Sequence, residues 1–301
     1  MMIERRALAA FLGLTFLLDW GLLGAYLGLG GAWEQPASTL VLASYMLAPA
    51  LVAAFVQRRV RRRPVKELGL GLRPNRWWLV AWLGPLALAL VATGVGFLLP
   101  GVSFDPSMAD LMARFEGIFS AEQMAEMRAQ TASLPLHPFW LSLLQGLIAG
   151  ATLNAVFAFG EELGWRGLLQ RLLAPLGFWR GSALVGAIWG IWHAPAILLG
   201  HNYPEHPVAG VAMMTIWCVL LAPPFAWVRA RTGSTVAPAV MHGTLNACAG
   251  LPLMVTHGGD DLRIGLTGLA GFVPLVAVNL WILVTGAPEL TNDAPAPESP
   301  P

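Results

Sequence analysis

The sequence predicts an all-α polytopic membrane protein, a bundle of about eight transmembrane helices around an in-membrane polar cavity. Three observations predict it. Of 301 residues, 56% are apolar and only 12% charged, where an ordinary soluble domain carries about 25% charge. The apolar residues form continuous runs rather than the alternating pattern of a membrane barrel. Lys and Arg gather between particular runs instead of scattering. The same balance excludes an ordinary cytosolic enzyme, a disordered chain and a basic nucleic-acid-binding domain. A net charge of +1 implies no bulk electrostatic partner.

The runs cover residues 7–29, 38–56, 77–99, 139–160, 182–200, 208–228, 235–256 and 264–286. The first continues through Asp19 and Trp20 with no small-residue cleavage site, so it reads as a span and not a signal peptide. A cytoplasmic N-terminus places fifteen of the 18 Lys and Arg inside. These are Arg5, Arg6, the linker cations Arg58, Arg59, Arg61, Arg62, Arg63, Lys66, Arg73 and Arg76, then Arg166, Arg171, Arg180, Arg229 and Arg231. Arg114, Arg128 and Arg263 fall outside. Both termini are therefore expected on the cytoplasmic side of the cell membrane. The basic linker reads as a topology signal and a contact for anionic lipid, with no nucleic-acid partner.

Residues 1–138 form an N-terminal region of spans, basic linker and external loop. Residues 139–256 form a core, 257–286 a last span, and the Pro-rich acidic stretch 287–301 a disordered tail. In the loop 101–138, Met108, Leu111, Met112, Phe115, Ile118 and Phe119 recur at helical spacing around Asp110, Arg114 and Glu116. That pattern predicts an amphipathic helix on the outer membrane surface. His201 to His206 hold two His and a Glu, but Pro204 and Pro207 mark a turn and the spacing fits no metal motif. Cys218 and Cys248 read as small packing residues. No internal repeat supports an inverted-repeat transporter. The Ala, Gly, Leu and Arg bias suits a high-GC prokaryote.

An ionisable residue inside a span is expensive and marks a functional candidate. Four groups qualify: Asp19; Glu161, Glu162 and Arg166; His193; and His242 with Asn246. Adjacent glutamates on a helix point about 100° apart, so they take different roles. Glu162 and Arg166, at i and i+4, share a face and are free to pair, which leaves Glu161 to face elsewhere. Trp189 stands one turn before His193, and Gly186 and Gly190 allow a second helix close by. His242 and Asn246 again share a face. Taken singly, each group also reads as an ion pair or hydrogen bond between helices. Together they offer a carboxylate, two imidazoles and an amide reachable from the inner half of the membrane. That set serves as a general base with oxyanion donors, or as metal ligands. Asp19 gains no functional role from this pattern.

The order EExxxR, aromatic-xxx-His, HxxxN on separate apolar runs resembles the type II CAAX prenyl endopeptidase family. These are the CPBP intramembrane proteases, which include bacteriocin-processing and lysostaphin-resistance-like members. Glu161, Glu162 and Arg166 match the first motif, and His193 the second, with Trp189 where Phe is usual. His242 and Asn246 match the third. The resemblance covers roughly residues 139–256. It implies an endopeptidase acting on a membrane-associated protein or peptide. In it, Glu161 is the general base, His193 its hydrogen-bonding partner, and His242 and Asn246 the oxyanion donors. Glu162 and Arg166 then hold the helix end. It also implies a question about zinc, for which Glu161, His193 and His242 would be the ligands. The lack of HExxH and the presence of Asn246 favour a metal-free reading. A non-catalytic immunity or scaffold protein of the same fold is the alternative, followed by an ion-coupled transporter.

Overall fold

The structure, a computed structural model, describes residues 3–33, 37–114 and 120–290. The chain starts with α1 (Arg5–Gly28) and α2 (Ala37–Phe55), which a π-helical turn, Val56–Val60, prolongs. The basic linker leads to α3 (Trp77–Gly96). The external segment carries α4 (Ala109–Ala113) and α5 (Ala121–Ser133). Then come α6 (Pro138–Ala151), α7 (Leu153–Glu162), a π-helical stretch Leu163–Leu169 and α8 (Gln170–Leu173). The remainder is α9 (Phe178–Trp192), α10 (Ala194–Leu198), α11 (Pro207–Thr232), α12 (Val236–Cys248) and α13 (Leu269–Thr285).

Among the described residues, α1, α2 with its π-turn, α3 and α11 are long and apolar enough to cross a membrane. The run 139–160 is not one straight rod. It lies on α6 and on a helix that leaves α6 at 50° and continues to Leu176. The other runs fall on shorter helices: α9 has 15 residues, α12 has 13 and α13 has 17. By length and composition, four helices among the described residues reach spanning length where eight runs were expected, or five with the bent pair, and the other runs form shorter apolar helices. Helix breakers explain the difference. Pro195 has no N–H for the Ile191 carbonyl, and α9 stops three residues before it. Gly250 and Pro252 follow the end of α12.

Close backbone contacts hold the core helices. A methyl on Gly186 or Gly190 would overlap the α11 backbone at Cys218–Val219 or Thr215. A side chain on Gly243 would overlap the Gly150 carbonyl and Ala155, the two sides of the bend at Thr152. Pro224 inside α11 leaves the Leu220 carbonyl without its helical donor. Asn279 Nδ2 of α13 donates to that oxygen at 2.7 Å.

The bundle has two distinct ends. At the linker end, Thr235 N donates to the Gly69 carbonyl at 2.7 Å and Asn75 Nδ2 to the Arg231 carbonyl at 3.0 Å. Arg61 adds a two-pronged ion pair to Glu4, at 2.9 and 2.8 Å. At the opposite, loop end, β1 (Ser103–Phe104) pairs antiparallel with β2 (Thr256–His257). Asp110 accepts from Gly258 N at 2.7 Å and pairs with His257 Nδ1 at 2.8 Å. Here the amphipathic expectation needs correction. Met108 and Met112 are buried in the protein, and α4, only five residues long, packs on the 252–257 segment. Two of the side chains that suggested a membrane-lying helix, Met108 and Met112, therefore pack inside the protein at the loop end. Phe115, Ile118 and Phe119 fall outside the described residues, as does the tail beyond residue 290.

Candidate active site

Glu161 and Glu162 are the last two residues of α7, where the α ladder changes to π. Such π segments recur at functional sites. The two carboxylates diverge. Glu162 Oε1 accepts from Arg166 Nη1 at 3.0 Å and from His242 Nδ1 at 2.8 Å. Glu161 Oε2 accepts from Trp189 Nε1 at 2.7 Å and from Trp165 Nε1 at 3.4 Å. Arg166 is fully buried, its guanidinium 4.3 Å from the Trp189 ring centroid and 4.5 Å from that of Phe225. Stacking on two aromatic faces supplements the ion pair to Glu162.

His193 stands at the break between α9 and α10. Its Nδ1 lies 2.8 Å from the Trp189 carbonyl. A carbonyl only accepts, so Nδ1 carries a hydrogen and, in the neutral ring, Nε2 offers a lone pair. By the same logic His242 donates from Nδ1 to Glu162 and presents Nε2 elsewhere. Its ring stands edge-on to Trp189, centroids 5.4 Å apart.

One cavity of about 300 Å³ is lined by Glu161, His193, His242 and Asn246 together. The four site residues named from the sequence thus come together. Two expected relationships differ. Among the described residues no direct hydrogen bond joins Glu161 to His193; Glu161 Oε2 instead accepts from two indole N–H groups. Access also differs. Asn246 is exposed, and the rim includes His201, Asn202, Ala249, Leu266 and Thr267, all from the loop end. The cavity opens opposite the basic linker, not on the linker side. Both α9 and α12 start at the linker end, and the key residues lie at their far ends.

Three contributors had no motif to reveal them. Asp19, fully buried in α1, accepts from Trp192 Nε1 at 2.7 Å. Tyr45 of α2 donates to the Trp192 carbonyl at 2.6 Å, and Trp20 Nε1 donates to the same oxygen at 3.1 Å. Tyr45 and Trp192 also line the cavity. The polar residue inside an apolar run was the one available signal, and it pointed to Asp19 without its partner.

Among the described residues, the one trio of His, Cys, Asp or Glu whose ligand atoms lie within 4.8 Å of one another is His206, Asp260 and Asp261. Glu161, His193 and His242 do not close around a metal ion in this way.

Residues 135–248 match the model of the type II CAAX prenyl endopeptidase Rce1-like family. Over this stretch the chain is similar to that family. No curated protein matched the chain. The matched stretch runs from just before α6 to the last residue of α12, and Glu161, His193, His242 and Asn246 all lie inside it. The CAAX-type core therefore supplies the whole polar set, while α1 to α3 and α13 lie outside the match. With a family of CAAX-type proteases and apolar helices of spanning length, the chain is a multi-pass membrane protein carrying a peptidase-family core.

Proposed function

We propose that the chain is an intramembrane endopeptidase that hydrolyses a peptide bond of a membrane-associated protein or peptide. One observation carries this reading: Glu161, His193, His242 and Asn246 share the walls of a single cavity. In this proposal Glu161 removes a proton from a water in the cavity as it attacks the scissile carbonyl. His193 Nε2 accepts from the same water and aims it. The amide N–H of Asn246 and, when doubly protonated, His242 Nε2 donate to the developing oxyanion. Glu161 then passes its proton to the leaving amine.

Glu162 acts one step back. Its bonds to Arg166 and His242 fix the end of α7 and the tautomer of His242. The metal-free form of the reaction is supported by the indole hydrogens on Glu161 and by the separation of the three candidate ligands. Cytoplasmic placement of the Arg-rich linker end puts the mouth of the cavity on the outer side of the cell membrane.

The test uses full-length protein in nanodiscs with a library of labelled peptides. Wild type should cleave a subset, and Glu161→Gln should retain the fold and lose cleavage. Equal cleavage by Glu161→Gln would overturn the assignment of the base. Full complementation by Glu161→Gln in cells would favour the scaffold reading. Zinc in elemental analysis, lost together with activity on chelation, would overturn the metal-free form.

A further inference from the structure

A second concavity lies on the other side of α12 from the site. It is a groove of about 510 Å³ walled by α3, α11, α12 and α13, and its lining is almost wholly apolar. Met241 faces it, while the next residue, His242, lines the polar cavity. Along α3 the lining runs from Trp77 through Gly84 to Val91 on one face. Those fourteen steps span about 21 Å at 1.5 Å per residue. One leaflet of hydrocarbon is about 15 Å deep. The groove is therefore as long as an extended acyl chain needs.

Its linker end is different. There Trp77, Trp227 and Trp281 meet, with ring centroids 4.6 Å apart for Trp77–Trp227 and 5.3 Å for Trp227–Trp281. Two arginines lie over these rings. Arg76 Cζ is 4.6 Å from the Trp77 centroid, and Arg231 Cζ is 5.4 Å from that of Trp227 and 5.7 Å from that of Trp77. Both arginines are exposed, and neither makes an ion pair among the described residues. Tryptophans of this kind sit at the headgroup level of a bilayer. A pair of cations without carboxylates, directly above the mouth of an apolar groove, matches a phosphate joined to an acyl chain.

We propose that this groove is a binding site for one anionic phospholipid of the leaflet on the linker side. The phosphate lies between Arg76 and Arg231 and one acyl chain runs along α3. The lipid then forms a wall of α12, the helix that carries His242 and Asn246 on its other side. The proposal does not depend on the peptidase reading.

Gly84 supplies a clean probe. A Cβ placed on it meets nothing closer than the Val80 Cγ1 of its own helix, at 3.9 Å, and Gly84 lines the groove, so the side chain of Gly84→Leu is directed into the groove. Full-length protein in detergent is offered phosphatidylglycerol or phosphatidylcholine with identical chains, and retained lipid is counted by native mass spectrometry. Wild type should retain phosphatidylglycerol at least about tenfold better, as two headgroup-level arginines predict. The double variant Arg76→Gln, Arg231→Gln should lose that preference. Gly84→Leu should lose retention of both lipids while its melting temperature in detergent alone stays at the wild-type value. Arg5→Gln with Arg6→Gln, equally exposed cations at the start of α1 and outside the basic linker, should change nothing. Equal retention of the two headgroups by wild type would overturn the proposal. So would unchanged preference in the Arg76, Arg231 variant, or an equal loss in the Arg5, Arg6 control. Unchanged lipid retention by folded Gly84→Leu would overturn the acyl-chain placement.

Discussion

Trp192 donates its indole N–H to the buried carboxylate of Asp19 at 2.7 Å, and thereby ties the first helix to the residue next to His193. The Trp192 carbonyl, at the break between α9 and α10, is held in turn by Tyr45 and Trp20. Asp19→Asn keeps an acceptor for the indole, whereas Asp19→Leu leaves a buried donor without a partner. That loss costs about 1–3 kcal/mol. Thermal melting in detergent should place Asp19→Asn near wild type and Asp19→Leu clearly below it. Equal melting of the two variants would show that the hydrogen bond does not secure the break.

Asn246 is exposed within the cavity mouth, and the structure gives its side chain no hydrogen-bond partner among the described residues. Asn246→Ala should therefore melt like wild type. Loss of an oxyanion donor lowers turnover by about 10²–10³. Steady-state cleavage of the best library peptide should show that drop in kcat. A variant with unchanged kcat would remove Asn246 from the oxyanion site.

Asn279 and Pro224 make a testable pair. Asn279→Leu strands the Leu220 carbonyl, at a cost of about 1–3 kcal/mol. In a Pro224→Ala background the new backbone N–H is free to take that carbonyl, so the same Asn279→Leu change should cost less. A double-mutant cycle on melting free energies measures the difference. Strict additivity would mean that Asn279 does not compensate the proline.

His206 links the loops at the mouth end. Its Nδ1 lies 2.7 Å from Asp261 Oδ1, and that hydrogen bond holds the imidazole above its usual range. The folded value being the higher one, stabilisation by this pair is complete below the unfolded value of about 6.5. It is lost as pH rises through the folded value. Melting temperatures taken between about pH 5.5 and 9 should fall with pH for wild type. The fall should shrink in His206→Gln. The same slope in both proteins would exclude the His206–Asp261 pair as its source.

Much of the molecule was legible from residue types. Helical class followed from unbroken apolar runs, and the i, i+4 spacing of Glu162 and Arg166 anticipated a pair that the structure makes at 3.0 Å. The convergence of four polar residues on one cavity followed from the cost of burying them singly. Other features were not legible, for physical reasons. Run length does not fix helix length: the apolar run 235–256 holds α12, which is only 13 residues long. Met108 and Met112 have the same spacing whether they face lipid or the 252–257 segment. The direction in which the cavity opens depends on the far ends of α9 and α12, and no periodicity encodes it. Asp19 carried a warning but not its partner, which lies 173 residues away in the chain.

The cavity wall from α2 has a consequence for how such proteins diversify. Leu42, Tyr45 and Met46 face the same space as Glu161, yet they lie outside the stretch that carries the family match. Glu161 and part of the fence around it thus lie in different stretches of the chain, one inside the family match and one outside it. Exchanging the first two helices between relatives, with the CAAX-type core left intact, should retune which peptides are admitted while conserving the chemistry done on them.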